Sequence, residues 1–493
     1  MIQSRFWYTH ALLLAVQSAE LDRATIVRGT PGFTLMQRAG AAVVACVQEK
    51  YASSPCLILC GPGNNGGDGL VIAELLRRQG YLVQTAMLTP PEKLPGDAAL
   101  ARDFYQGEIL SWSPSLLNGA ALVIDALFGV GLDRPLDTDF IAVIEAVNNS
   151  ALPVIAVDLP SGIHADTGQI LGAAMRATAT VTFTRKKPGL LLLPGRDYAG
   201  EVTVAGIGMD ADALAGLPLL LAENHPDLWR DQLPEFRAGQ HKYHHGHALI
   251  LGGAIMTGAA RLAARAAQRI GTGLVTIAAP PEAQAIYATN LDSVLVQLLT
   301  GGDDWRKAAE DPKKTAILLG PGAGVGAATC DKVRAALLTK KPCVLDADAL
   351  TSFAEHPGQL FDLLHTQCVL TPHMGEFERL FDKNADKPAC ARHAAQTAQA
   401  VVLLKGADTI VAAPDGRTVI NVNAPPWLAT AGSGDVLAGI ITGLMAQKIE
   451  PFTAACIGAW LHGEAARNFS PGMIAEDLIA ALPGVLAQYD GRR

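Results

Sequence analysis

The sequence has no excess of positive charge: 39 Lys and Arg stand against 47 Asp and Glu, for a net charge of −8. It therefore has no polycationic footprint for nucleic acid or an anionic membrane, and any nucleotide site must be local. Cysteine is sparse, with 8 in 493 residues. The closest pair, Cys56 and Cys60, lies inside one apolar run and no CxxC occurs, so these read as buried thiols of a reducing compartment. Runs long enough to span a bilayer, roughly 18 apolar residues, are also missing, because Gly, Pro or Asp interrupts each one. The short apolar stretch Ala11–Val16 is soon followed by Glu20, Asp22 and Arg23, without a cleavage pattern, and is expected to be helical. A cytoplasmic protein is expected, with neither membrane nor nucleic acid as partner. Charged residues make up 17% and hydrophobic ones 49%, which excludes a disordered chain and describes well-cored domains. The length implies two or three of them.

Short apolar runs alternate with helical patterns throughout. In the first half they are Cys56–Cys60, Leu82–Leu88, Ala121–Ile124, Pro153–Val157 and Thr180–Phe183. In the second they are Ala248–Leu251, Leu274–Ala278, Ala316–Leu319, Cys343–Leu345, Val369–Leu370 and Val401–Leu404. Strands alternating with helices predict an α/β protein, each half a mainly parallel sheet with helices on both faces. The pattern fades over Asp210–Gln240, where Pro218, Pro226 and Pro234 fall. This places a first domain at 1–215, a linker at 216–240 and a second domain at 241–493.

Gly61-Pro-Gly-Asn-Asn-Gly-Gly-Asp-Gly69 follows one strand and opens a helix that Gly80 closes as C′ residue. Such a turn offers unpaired N–H groups and a positive dipole end to a phosphate or carboxylate. A tight turn alone would explain about two of its glycines. Asp125 and Asp158 each end a strand, where open α/β sheets place their sites. With the Asn pair and Ser161 they supply hard oxygen donors suited to a cation, ribose or phosphate.

In the second half, Thr430-Ala-Gly-Ser-Gly-Asp435 leads into a buried helical pattern. Its loop amides can hold a transferring phosphoryl group, and Asp435 is placed to take a proton from an attacking hydroxyl. Asp346 and Asp348, His373 and Glu376, and Lys405 through Thr409 follow three further strands. The carboxylates and His373 suit a hydrated Mg²⁺ and a polar substrate, and Lys405 suits nucleotide phosphate. The cluster His241-Lys-Tyr-His-His-Gly-His247 matches no zinc spacing and reads as a loop entering the second domain.

Across nearly its whole length the chain resembles the bifunctional NAD(P)H-hydrate repair enzymes, an N-terminal epimerase joined to a ribokinase-like dehydratase. The motifs are GPGNNGGDG at Gly61–Gly69, DALFGVGL at Asp125–Leu132, DLPSG at Asp158–Gly162, HKYHHGHALILGG at His241–Gly253, GPGAG at Gly320–Gly324, DADAL at Asp346–Leu350, TPHMGEF at Thr371–Phe377, LLKGADT at Leu403–Thr409 and AGSGDVLAG at Ala431–Gly439. The resemblance implies a Rossmann-like first domain and repair of NADHX and NADPHX, the hydrates formed when water adds across the nicotinamide ring. By that resemblance Asn64, Asn65, Gly66, Gly67 and Asp68 contact the hydrate. So do Asp158 and the loop of Gly129, Val130, Gly131, Leu132, Asp133, Arg134 and Pro135. Asn65, Asp125 and Ser161 would hold K⁺, and Asp158 is the candidate proton carrier, whether as acid, base or positioning group. In the dehydratase half Asp435 would deprotonate the ring hydroxyl of the S epimer. Lys405, Gly406, Ala407, Asp408 and Thr409, with Gly432, Ser433 and Gly434, would bind the nucleotide, ADP in bacterial-type members, alongside Mg²⁺. Ala254, Gly322, Gly324 and His373 would face the substrate, and a homo-oligomer is implied. Ala424, Pro426 and Ala431 replace glycines usual in the family, which reduces backbone freedom there. A ribokinase-like small-molecule kinase fused to a nucleotide-binding domain is the alternative, and it would release a stable phosphorylated product.

Overall fold

The computed structural model covers residues 5–289 and 291–489. The chain forms two compact units, one of Ala11–Leu219 and the other of Met1–His10 with Leu220–Arg493. No helix among the described residues is long and apolar enough to cross a membrane. All eight cysteines are buried and unbridged.

The first unit is built on seven strands: β1 (Cys56–Cys60), β2 (Val83–Met87), β3 (Ile109–Ser111), β4 (Leu122–Ala126), β5 (Val154–Val157), β6 (Ala179–Phe183) and β7 (Glu201–Ala205). All pair in parallel, in the order β3-β2-β1-β4-β5-β6-β7. Continuous apolar runs such as CLILC are fully buried, as a parallel sheet covered on both faces requires. The expected strands all form. β3 and β7 add edges that the sequence hid, because their residues are partly exposed and so carry no apolar run. Strand order reverses between β1 and β4, which opens a crevice at their carboxyl ends. The stretch Ala11–Val16 departs from expectation. The helix starts only at Ala15, and Ala11, Leu12 and Leu13 are buried in an extended segment, with the Leu13 amide bonded to the Lys186 carbonyl at 3.1 Å.

The second unit holds β8 (Leu221–Glu223), β9 (His247–Leu251), β10 (Leu274–Ala279), β11 (Leu295–Leu298), β12 (Ala316–Leu319), β13 (Cys343–Leu345), β14 (Cys368–Leu370), β15 (Val401–Leu404), β16 (Thr409–Ala412) and β17 (Thr418–Asn421). Their order is β11-β10-β9-β12-β13-β14-β15-β16-β17-β8. Pairing is parallel from β11 to β15, antiparallel through β16 and β17, and parallel again onto β8. The reversal point here lies between β9 and β12. The stretch 216–240, expected as a linker, contributes β8 to this sheet, and Trp229 is buried with its indole N–H on Asn224 at 3.1 Å. Pro226 starts a short 3₁₀ turn, and Pro218 and Pro234 fall in irregular connections, which removed the periodic signal.

The helix Ser433–Ala446 is buried from Val436 onward and packs on the alanine-rich helix Thr257–Arg269. A Cβ added at Gly439 would stand 2.2 Å from the Ala263 carbonyl oxygen, so the two backbones touch where glycine leaves room. Gly439→Ala is expected to destabilise the second unit by about 1–3 kcal/mol through overpacking, seen as a lower urea midpoint. Gly484→Ala, where a Cβ meets nothing within 4 Å, should instead gain up to about 1 kcal/mol of helix propensity.

Candidate active sites

In the first unit the loops after β1, β4, β5 and β6 and the helix Ala15–Val27 enclose a cavity of about 510 Å³. Asn64, Asn65, Asp68, Gly129, Val130, Gly131, Leu132 and Asp158, among the residues the family resemblance puts against the hydrate, line it. Asp133, Arg134 and Pro135 are exposed and outside the lining. Gly66 and Gly67 are buried beneath it. Added Cβ atoms at Gly61 and Gly66 would stand 1.7 Å from the Leu127 oxygen and 1.9 Å from the Gly61 oxygen. At Gly67 and Gly69 they would meet Met36 and the Cys60 sulfur, each at 2.7 Å. Close packing thus accounts for four of the five glycines, twice what a tight turn explains, and Gly63 alone stands clear. Gly63 caps the helix start without a side-chain bond, leaving amides open toward the cavity.

Asp158 has the left-handed φ of 69° in a non-glycine residue, a costly conformation that persists only when neighbours over-determine it. Its amide bonds the Val181 carbonyl at 2.8 Å. Its carboxylate accepts from Thr182 Oγ1 at 2.9 Å and from the Lys187 ammonium. Lys187 is only 3% exposed and also reaches Thr182 Oγ1 at 3.0 Å and the Phe183 carbonyl at 3.2 Å. Sequence reasoning missed Lys187, although it closely follows β6 as Asp125 and Asp158 end their own strands. It also missed Asp22, which faces the same cavity from the helix Ala15–Val27. Desolvation by the protein packed around it raises the Asp22 carboxyl to about 6, with Lys187 opposing and Asp158 reinforcing the shift. Asp68 is pushed well above the usual range by burial, then by Asp158 and Asp22.

Asp125 and Ser161 meet beside this cavity. Asp125 is fully buried and accepts from Ser161 Oγ at 2.6 Å, Ser161 N at 2.8 Å and Leu127 N at 3.3 Å. Burial raises its carboxyl to about 6 against those bonds. All three donors are neutral, so a cation would favour the ionised form. Asn65 lies on the other side of Gly129: a Cβ there would sit 3.0 Å from Asn65 Oδ1, and Asn65 Nδ2 is buried without a partner. Hard oxygens around an uncompensated carboxylate fit a monovalent cation.

In the second unit Asp346 follows β13 and Lys405 follows β15, and their charged groups bond at 2.7 Å. Glu376 lies 3.9 Å from the same ammonium. A Cβ on Gly434 would stand 3.5 Å from Lys405 Nζ, so the lysine faces the turn at Gly432, where the helix starts without a side-chain cap. Asp435 sits in that first turn. Burial raises its carboxyl to about 6, helped by Asp346 and Asp348 and opposed by Lys405. Carboxylates outnumber the ammonium, which suits a divalent cation held through water. A base rising to about 6 is ionised above that pH, so a rate that depends on it should fall as pH drops through 6 and stay flat above. A profile from pH 5 to 8 checks this.

Other expected residues have fixed structural work. Asp408 is buried and paired with Lys387, and Thr409 Oγ1 closes the β15–β16 hairpin onto the Gly406 carbonyl at 2.7 Å. His373 caps its helix, with Nδ1 accepting from Glu376 N at 3.2 Å and its own amide on Glu376 Oε2 at 2.9 Å; its ring stays exposed. Ala254 and the Gly322 and Gly324 turn follow β9 and β12 at the reversal point. The departing loop is pinned, with Trp427 Nε1 on the Ala466 carbonyl at 2.8 Å. His462, also missed, is buried behind the Gly432 turn and bonded to the Ser433 backbone, with burial lowering its ring to about 4. In the histidine cluster, His247 is buried and bonds Thr276 Oγ1 at 2.7 Å. His10, His225 and Asp227 also converge, but His225 Nδ1 already caps the Asp227 amide at 3.2 Å.

Two doubly wound α/β units, one with a carboxylate-lined cavity and one with a phosphate-type helix start beside a carboxylate base, define a two-site enzyme of nucleotide chemistry. A family model described as NAD(P)H-hydrate dehydratase matches residues 248–483, and one described as YjeF-related protein N-terminus matches residues 32–189. The bifunctional NAD(P)H-hydrate repair enzyme of Moorella thermoacetica is 39% identical over 97% of this chain and 97% of its own. Those of Salinibacter ruber and Escherichia coli are 38% and 36% identical, over 97% and 96% of this chain and 96% and 92% of theirs. A crystal structure of the ADP/ATP-dependent NAD(P)H-hydrate dehydratase of Bacillus subtilis, 29% identical, covers 54% of this chain and 98% of its own with a TM-score of 0.49. The chain belongs to the bifunctional NAD(P)H-hydrate repair enzymes.

Proposed function

We propose that the chain interconverts the R and S epimers of NADHX and NADPHX in its first unit and dehydrates the S epimer in its second. The observation that carries this reading is Asp435, a carboxylate in the first turn of an uncapped helix with Lys405 beside it. Asp435 takes the proton of the ring hydroxyl as its oxygen attacks the terminal phosphorus of ADP. The helix amides and Lys405 stabilise the charge that develops on the phosphoryl oxygens. AMP leaves, the C–O bond to phosphate breaks, a neighbouring ring carbon loses a proton, and the dihydronicotinamide is restored. Phosphate makes this step possible because hydroxide is a poor leaving group. Asp346, Asp348 and Glu376 would hold Mg²⁺, which would supply charge neutralisation for the nucleotide phosphates.

In the first unit the open amides after Gly63 and the Gly129–Leu132 loop orient the hydrate against Asp158. Asn65, Asp125 and Ser161 would hold K⁺, which would supply a fixed positive charge for a polar substrate group. We place the enzyme in the cytoplasm as a homo-oligomer. The test is recovery of nicotinamide absorbance from a mixed R/S hydrate with ADP or ATP, the uncatalysed epimer exchange subtracted. Complete recovery with release of inorganic phosphate is expected. A stable phosphorylated product would instead make it a small-molecule kinase.

A further inference from the structure

The cavity of the first unit holds five titratable groups: Asp22, Asp68, Asp97, Asp158 and Lys187. They are not equivalent. Asp158 is committed, since its Oδ1 receives both the Lys187 ammonium and the Thr182 hydroxyl. A carboxylate held this way by a buried cation is a fixed anion, and protonating it would strand Lys187 in a site 3% exposed. Asp22 and Asp68 line the same cavity from two different helices, Ala15–Val27 and Asn64–Arg78. Neither carboxyl has a hydrogen-bond partner among the described residues, so both are available to substrate.

Resting on the epimerase reading, we propose that Asp68 and Asp22 are the acid and base of epimerisation, and that Asp158 is the anion that holds the charged ring. The carbinol carbon of the hydrate adjoins the ring nitrogen. Asp68 gives its proton to the ring hydroxyl, the C–O bond breaks, and water departs as the nitrogen lone pair forms a C=N⁺ bond. The cation lies against Asp158. Water then adds to the opposite face, forming a new C–O bond, and Asp22 takes its proton. No electrons are exchanged with any partner, and the reverse direction uses the same two groups in exchanged roles. Two acids that must differ in protonation state need environments that set them apart. Here Asp68 is pushed well above the usual range, whereas Asp22 rises only to about 6. Lys187 opposes the rise at Asp22, Asp158 adds to it at both, and Asp97 is the remaining cavity carboxyl.

The test follows epimer exchange by NMR without nucleotide, so that only the first unit turns over. Wild type should show exchange rising with pH through about 6 as Asp22 ionises. Asp22→Asn should lose about 10²–10⁴-fold in rate together with that limb, with little change in KM, and Asp22→Glu should restore part of both. Asp68→Asn should lose rate by a similar factor. A urea unfolding midpoint at the wild-type value, read by circular dichroism, serves as the folding control. If Asp22→Asn keeps the wild-type rate and limb, or if Asp158→Asn alone removes the limb, the proposal is overturned. A wild type with no exchange above the uncatalysed rate would instead overturn the epimerase reading itself.

Discussion

Asp435→Asn is expected to reduce nucleotide-dependent recovery of dihydronicotinamide from S hydrate by about 10²–10⁴-fold while leaving epimer exchange at the wild-type rate. Asparagine matches the shape of aspartate and keeps the first turn of Ser433–Ala446, so nucleotide affinity should change little and the loss should fall on kcat. The carboxylate can be deleted without unfolding its surroundings because its work is in the reaction. The buried charge pair nearby is Asp346 with Lys405, which the substitution leaves intact. Removing Asp435 removes the carboxyl that burial raises to about 6, so any residual rate should lose its dependence on pH there. An Asp435→Asn enzyme that kept both rate and profile would show that another group accepts the hydroxyl proton.

Most of the sheet scaffold was legible because parallel strands buried on both faces are written as continuous apolar runs. β3, β7, β8, β11, β16 and β17 were not: an edge strand that shares its exposure with solvent, or a three-residue strand among prolines, has no periodic signal to give, and the buried β16 and β17 are four-residue hairpin strands that open on threonine and carry no long apolar run. The first site was legible for a reason partly different from the one that flagged it. Three of its glycines let β1, β4 and the helix touch and Gly67 makes room for Met36, and that close approach is also what leaves a helix start open at the crevice. Asp125, Asp158 and Asp435 were visible because each adjoins a clear element and a turn. Asp22 was not, because an acidic residue on a mostly exposed helix is ordinarily solvated, and nothing local says that the helix covers a cavity. His462 was hidden for the complementary reason, a lone histidine among the alanines of a buried helix.

Lys187 carries the other large expected effect, and it follows from burial rather than from motif. Its ammonium and the Asp158 carboxylate are both nearly sealed from solvent, at 4% and 10% side-chain exposure. Lys187→Met replaces the ammonium with an apolar group of similar length and leaves Asp158 without its counter-charge. Breaking a buried pair from one side costs about 3–5 kcal/mol, so the urea midpoint of unfolding, read by circular dichroism, should fall sharply. Asp158→Asn strands the lysine and should also destabilise. The double variant Lys187→Met with Asp158→Asn removes both charges at once. If the pair is coupled as the geometry indicates, it should be more stable than the Lys187→Met single variant by an interaction energy of up to about 3 kcal/mol. Epimer exchange should stay low in the double variant, because the anion that faces the cationic ring is gone. Recovery of stability without activity would separate the two roles of Asp158, and additive losses in stability would show that Lys187 does not serve as its partner in solution.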